Sequence, residues 1–184
     1  SPSEKIAVCC GWTAGDGVGL GGGVMNRVTD VAIPGGEAIR VVEGPLMSLW
    51  EDAEAAGDQR FPHEYLYDLL LHGELEFDAD PKESWLMAAA DANLPIFTPG
   101  WEDSSLGNIL AARVLDCSLK GAEVVKGGLH AMQALADWYR EDDSPTGLLQ
   151  VGGGIAGDFA ISVGPILGQD ERVVCTLWAG SSQL

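Results

Sequence analysis

The sequence predicts an α/β fold, a mostly parallel sheet flanked by helices with a more helical first half, on three observations. From residue 94 onward, short apolar runs alternate with stretches of helical period, the order that builds parallel sheets covered by helices. Two of those runs, 94–97 and 148–151, end in turn-forming segments: the acidic Ser/Gly-rich turn 101–108 and the triple glycine 152–154. Between residues 34 and 93 the apolar spacing is helical almost throughout.

Taken in order, the chain opens with a short apolar stretch, 6–10, followed by a segment, 11–23, that holds seven glycines. Within it, Gly17-Val18-Gly19-Leu20-Gly21-Gly22 satisfies G-x-G-x-x-G, and Glu37 lies twenty residues beyond Gly17. A dinucleotide fingerprint must open a helix, however, and Asn26-Arg27-Val28-Thr29-Asp30 followed by Pro34-Gly35-Gly36 does not read as one. The segment is therefore read as a flexible entry rather than a phosphate loop.

Residues 37–52 space Ile39, Val42, Leu46 and Leu49 on one helical face, with Gly44-Pro45 expected to break or kink the helix. A second helix, 62–71, carries Tyr65, Leu66, Leu69 and Leu70. Asp80-Pro81-Lys82-Glu83 is a start signal, an N-cap aspartate, a proline at the first helical position and an acid in the first turn. The helix it opens should run to about Asn93, with Trp85 in the core.

A strand over 94–97 and a helix over 105–115 follow. Val124-Val125 reads as a short strand or a connector. A helix over 129–139 should turn Met132, Leu135 and Trp138 or Tyr139 inward. Residues 148–151 read as a buried strand, 158–167 as a helix and 173–177 as the last strand.

The chain has 184 residues, 46% of them hydrophobic, enough for one domain with a sizeable core. No apolar run approaches the length that crosses a bilayer, and the first residues lack the pattern of a secretory signal. A net charge of −18 argues against nucleic acid, whose phosphates require a basic face. It suits a cationic ligand, and equally a merely soluble surface. The four cysteines make no C-x-x-C and sit near no histidine at zinc spacing, so a reducing cytoplasm is expected. His63, His72 and His130 show no metal spacing and read as structural. No G-x-S-x-G, P-loop or H-E-x-x-H is present.

In a parallel α/β sheet, ligands gather at the carboxyl ends of the strands. The strands at 94–97 and 148–151 would deliver residues 101–108 and 152–158 to that edge. Asp103 suits ribose hydroxyls, and Ser104 and Ser105 suit either a phosphate or the helix cap. The glycines let backbone approach a ligand closely.

These residues resemble the deoxyhypusine synthase family, and more closely its bacterial deoxyhypusine synthase-like branch. The resemblance rests on Asn26-Arg27-Val28-Thr29-Asp30, Phe61-Pro62-His63-Glu64, Ser84-Trp85-Leu86, Leu94-Pro95-Ile96-Phe97, Pro99-Gly100-Trp101-Glu102-Asp103-Ser104-Ser105-Leu106-Gly107-Asn108 and Gln150-Val151-Gly152-Gly153-Gly154-Ile155-Ala156-Gly157-Asp158-Phe159. It implies two parts: a Gly-rich N-terminal segment, 1–25, outside the resemblance, and a deoxyhypusine synthase-like domain, 26–184. It also implies a Rossmann-like homotetramer that uses NAD to oxidise spermidine and transfers the aminobutyl group to an amine through an enzyme lysine. The bacterial relatives are thought to use small amines as acceptors.

By the same resemblance Asp103, Ser105, Gly153 and Ala179 bind the cofactor. Asn108 and Asp158 bind a polyamine or guanidino-amine substrate, replacing a substrate aspartate and a catalytic histidine of deoxyhypusine synthase. Trp178-Ala179-Gly180 stands where a Thr-Ala turn is usual. The family's Trp-Gly-Lys motif does not occur within residues 1–184, and neither Lys120 nor Lys126 has a motif that would replace it. A nucleophile is needed for the covalent step, so the expectation is a truncated member, inactive by itself. The alternative is a non-enzymatic NAD- or polyamine-binding or structural subunit.

Overall fold

The computed structural model describes residues 13–14, 26–28, 31–33, 35–73, 75–77, 80–141, 144–151, 154–168 and 173–179. Three short strands come first, β1 (Thr13–Ala14), β2 (Asn26–Val28) and β3 (Val31–Ile33), in an antiparallel sheet of order β1-β3-β2. Strand β2 stands where a dinucleotide fingerprint would need a helix; residues 17–22 themselves lie outside the described residues.

Helix α1 (Gly35–Ala56) is continuous, so of the expected break or kink at Gly44-Pro45 the break does not occur. A proline at position 45 removes the hydrogen bond to the carbonyl of Val41. Both Pro45 and Val41 are exposed, so water can take that carbonyl. On the opposite side Val42, Leu46, Trp50 and Ala53 are buried, and that stripe holds the helix through the proline.

Helix α2 (Pro62–His72) begins at a proline, as the N1 preference predicts. The Glu64 carboxylate accepts from the Phe61 N–H at 2.6 Å, half of a capping box. Arg60 makes a single parallel bridge with Val125, so the 124–125 connector fixes the entry to α2. The Tyr65 hydroxyl donates to the Val124 carbonyl at 2.7 Å, and burial pushes its phenol up to about 12.

Asp80-Pro81-Lys82-Glu83 opens a 3₁₀ turn (Pro81–Glu83) rather than the helix itself. Asp80 caps that turn, and Ser84 then recaps helix α3 (Trp85–Asp91), its Oγ accepting from Met87 N–H at 3.4 Å. With Leu86, Ala89 and Ala90 facing α2, Trp85 falls on the far side and is 40% exposed, against the core position expected of it. Asn93, at φ 48°, ends α3 in the left-handed conformation that asparagine tolerates.

Residues 94–97 are not a strand. The Leu94 carbonyl accepts from the Tyr67 hydroxyl at 2.8 Å, and Leu94 N–H closes the end of α3 onto Ala89. A strand needs a partner ladder, and none reaches this segment among the described residues.

A second 3₁₀ turn (Trp101–Asp103) leads into helix α4 (Ser105–Leu115). Helix α5 (Gly128–Glu141), strand β4 (Thr146–Val151), helix α6 (Ile155–Leu167) and strand β5 (Val173–Ala179) complete the chain. Helix α5 buries Ala131, Leu135, Ala136 and Tyr139, leaving Trp138 at the margin. Strands β4 and β5 pair in parallel, Leu149 opposite Leu177. The fold is thus α/β and mostly helical, and the parallel sheet among the described residues has two strands rather than a wider Rossmann-like set. Leu149, expected in a buried strand, is 71% exposed, because one face of β4 is uncovered among the described residues.

Three apolar clusters hold these elements. Val42, Leu46, Trp50, Tyr65, Leu69 and Leu110 join α1, α2 and α4. Leu66, Tyr67 and Leu86 join α2 to α3. Leu135, Tyr139 and Val163 join α5 to α6, with Phe97 packed against them. No described helix is long and apolar enough to cross a membrane.

Candidate functional site

The Trp101–Asp103 turn is folded back onto the start of α4. Ser104 holds it there: its Oγ accepts from Gly107 N–H at 3.0 Å and donates to the Trp101 carbonyl at 2.6 Å. The serine is therefore a cap, with both hydrogen-bonding functions used within the loop. A Cβ at Gly107 would lie 2.5 Å from the Trp101 carbonyl oxygen, so only glycine lets the turn pack this closely.

The loop after Phe97 meets the start of α6. A Cβ at Gly100 would lie 3.6 Å from Ile155 Cδ1. Gly154, the residue before α6, has φ 78° and ψ −159°, a conformation open essentially to glycine alone. It is the described part of the triple glycine; Gly152 and Gly153 lie outside the described residues. Gly100, just before the acidic turn, and Ile155, just after the triple glycine, thus lie side by side along one hollow, although the first segment is not delivered by a strand.

Two hollows flank this contact and share Pro99 and Ile155. The first is a cavity of about 270 Å³ between α2, α3, the 96–104 loop and the start of α4. Leu66, Leu86, Ile96 and Leu106 give it apolar walls, with Trp101, His63 and Ser105 also lining it. The second, about 800 Å³ and wide open, lies between α5 and α6 and carries Glu102, Asp158 and Ser162 against Met132 and Phe159. The Glu102 carboxylate rests over Gly127, where a Cβ would come within 3.1 Å of Oε1.

The six expected site residues are therefore divided. Ser105 lines the first hollow and Asp158 the second. Asp103 and Asn108 are exposed on the turn and the first turn of α4 and line neither hollow. Ala179 ends β5, opposite Val151, and Gly153 lies outside the described residues. Sequence reasoning overlooked two residues. Within the acidic turn nothing in the sequence separates Glu102, which lines the second hollow, from Asp103, which does not. His63 was read as structural, and a lone histidine near a helix start carries no signal that it borders a cavity. Among the described residues no group of three or more His, Cys, Asp or Glu side chains is placed to hold a metal.

The family model described as deoxyhypusine synthase matches residues 5–179. A comparison with curated proteins finds no match.

Proposed function

The chain belongs to the deoxyhypusine synthase family, and on that premise we propose that it serves an NAD-dependent transfer of an aminobutyl-type group from a polyamine to an amine. The observation that supports this reading is that Gly100 and Ile155, from the two segments in which the family resemblance places cofactor and amine residues, lie side by side along one hollow.

The residues fit NAD. Asp103 is an exposed carboxylate next in sequence to Ser104, which lines the first hollow, and could accept from two ribose hydroxyls. Ser105 stands at the N-terminus of α4, where backbone N–H groups favour a phosphate. Gly153 and Ala179 would complete the cofactor side by resemblance. NAD, when bound, supplies a hydride acceptor for the carbon next to the donor amine.

On the amine side, Asp158 offers a charge-assisted hydrogen bond to an ammonium or guanidinium, and Asn108 a neutral contact. The net charge of −18 draws such cations toward the surface. Asn108 and Asp158 also favour the bacterial branch, with a small amine as acceptor rather than a protein lysine. The reading carries with it a cytoplasmic homotetramer and the wider Rossmann-like sheet of the family.

The test is to mix the protein with NAD and spermidine, or with a guanidino analogue: a burst of NADH absorbance would support retained dehydrogenation. Binding of NAD without that burst would favour the non-enzymatic alternative, a cofactor- or polyamine-binding subunit. Absence of NAD binding would overturn both.

A further inference from the structure

We propose that His63 is a positioning residue for the acidic turn: it ties the loop from Leu94 to Ser104 onto α2 while its imidazole is neutral, and releases that loop when the ring takes up a proton. The tie stands on packing alone; its bearing on the cofactor rests on the function proposed above.

Among the described residues the loop has no ladder to hold it, and two side chains of α2 take the ladder's place. The Tyr67 hydroxyl donates to the Leu94 carbonyl at 2.8 Å, and the His63 ring hydrogen-bonds the Ile96 backbone. His63 and Tyr67 are four residues apart, so they share one face of α2 at about 6 Å along its axis. Their rings touch edge-on, 5.3 Å apart. Two residues of extended chain span roughly the same length, so Leu94 and Ile96 each meet a helix side chain as they would meet a neighbouring strand. Ile96 also packs against the α2–α3 cluster. Beyond it, Glu102 and Asp103 are exposed, and Ser104 Oγ closes the turn on the Trp101 carbonyl.

The seat accepts only the neutral ring. Nδ1 is buried with no partner among the described residues, which leaves the Nε2–H to serve Ile96. A second proton would sit on Nδ1, where it meets neither acceptor nor water, and a buried unpaired charge is costly. Two charged groups act on the ring, Lys126 and Glu64. The Lys126 Nζ lies 4.6 Å over the Phe61 ring, on which His63 itself stacks at 5.8 Å and 19°, so an imidazolium would stand close to a fixed positive charge. Glu64 opposes this, but its carboxylate is exposed and already accepts from the Phe61 N–H. Burial, helped by Lys126, holds the imidazole below its ordinary range against Glu64 and Ile96. The tie is therefore closed at neutral pH and strained on the acid side. Relief comes when the ring reaches water, and the part of its packing that lacks a ladder, the loop, is the part that lifts. Tyr67 keeps its proton throughout, so its tie to Leu94 is indifferent to acid.

The test is amide hydrogen exchange from pH 8 to 5, corrected for intrinsic rates, with peptides covering 94–104 read against peptides from α1. Resonances of ¹⁵N-labelled histidine report the His63 titration on the same protein. As His63 takes up its proton, exchange over 94–104 should rise roughly tenfold relative to α1, the loss expected of one hydrogen bond. His63→Gln keeps an N–H near the Nε2 position and does not titrate, so it should hold the loop and abolish the step. His63→Leu should leave the loop fast at every pH. Tyr67→Phe should speed exchange by the same factor at every pH and keep the step. A His63 that titrates without the step would overturn the proposal. So would a step that survives in His63→Gln, or a His63 that stays neutral until α1 itself opens. If His63→Leu does not fold, the wild type and His63→Gln decide. Where NAD binds, its affinity should fall through the same step in the wild type and not in His63→Gln; an affinity that ignored the step would overturn the positioning role. The step without NAD binding would leave the tie standing and sink the proposed function, and NAD binding without the step would do the reverse.

Discussion

Among the described residues, the half of the molecule built on α1, α2 and α4 buries its largest side chains more completely than the half built on α5, β4 and α6. In the first, Trp50 and Tyr65 are each 1% exposed and Arg113 of α4 pairs with Glu43 of α1 across the rim. In the second, Leu129, Leu149, Ile155 and Ile166 are all exposed. Ser105 and Asp158 line hollows on either side of the seam. The difference teaches that the helical half acts as a scaffold, and that the loop from Thr98 to Ser105 takes its shape from that scaffold rather than from a sheet.

The comparison breaks most visibly if the scaffold is hollowed. Trp50→Ala should cost about 3–5 kcal/mol and lower the Tm sharply, whereas a like truncation of exposed Leu149 should change it little. Gly107→Ala comes next. Its Cβ would press into the Trp101 carbonyl, so a loss of about 1–3 kcal/mol is expected together with weaker NAD binding, because the same residue serves core and site. Calorimetry and a binding titration on one sample separate the two effects.

Tyr65→Phe removes the hydrogen bond to Val124 and leaves that carbonyl without its hydroxyl partner. A denaturant melt should read a loss of about 1–2 kcal/mol. Asp103→Ala sharpens the contrast from the other side. The residue is exposed, so the Tm should hold while NAD affinity falls roughly tenfold, the loss of one ribose contact. An unchanged affinity would remove Asp103 from the site.

The smallest effect is with pH. Desolvation depresses the His63 imidazole in the folded state, and nearby Lys126 acts in the same direction, against Glu64 and the Ile96 backbone. The unfolded chain therefore binds the proton more readily, so stability is complete above the unfolded histidine value of about 6.5 and falls as pH drops through it. His63→Asn should flatten that part of the profile in thermal melts from pH 8 to 5.

Where a signal is local, the sequence predicted the element closely. Ser104, the glycine three residues on and a run of good helix formers gave α4 its observed bounds, and Pro62 gave α2 its start. Where the outcome depends on a partner far along the chain, the prediction failed. Leu94-Pro95-Ile96-Phe97 has strand composition, but the Tyr67 hydroxyl takes its carbonyl. Pro45 has breaker chemistry, but the buried stripe on the other side of α1 outweighs it.

The sequence by itself therefore determined the family, the α/β class, most helix positions and the two glycine- and acid-rich turns, because caps, prolines and apolar period act within a few residues. Only the tertiary structure decided that Gly100 and Ile155 line one hollow, that Ser105 and Asp158 line different ones and that His63 borders a cavity. Those facts depend on how α2, α3, α4 and α6 pack, and burial and orphaned polar atoms are properties of that packing rather than of any local run of residues.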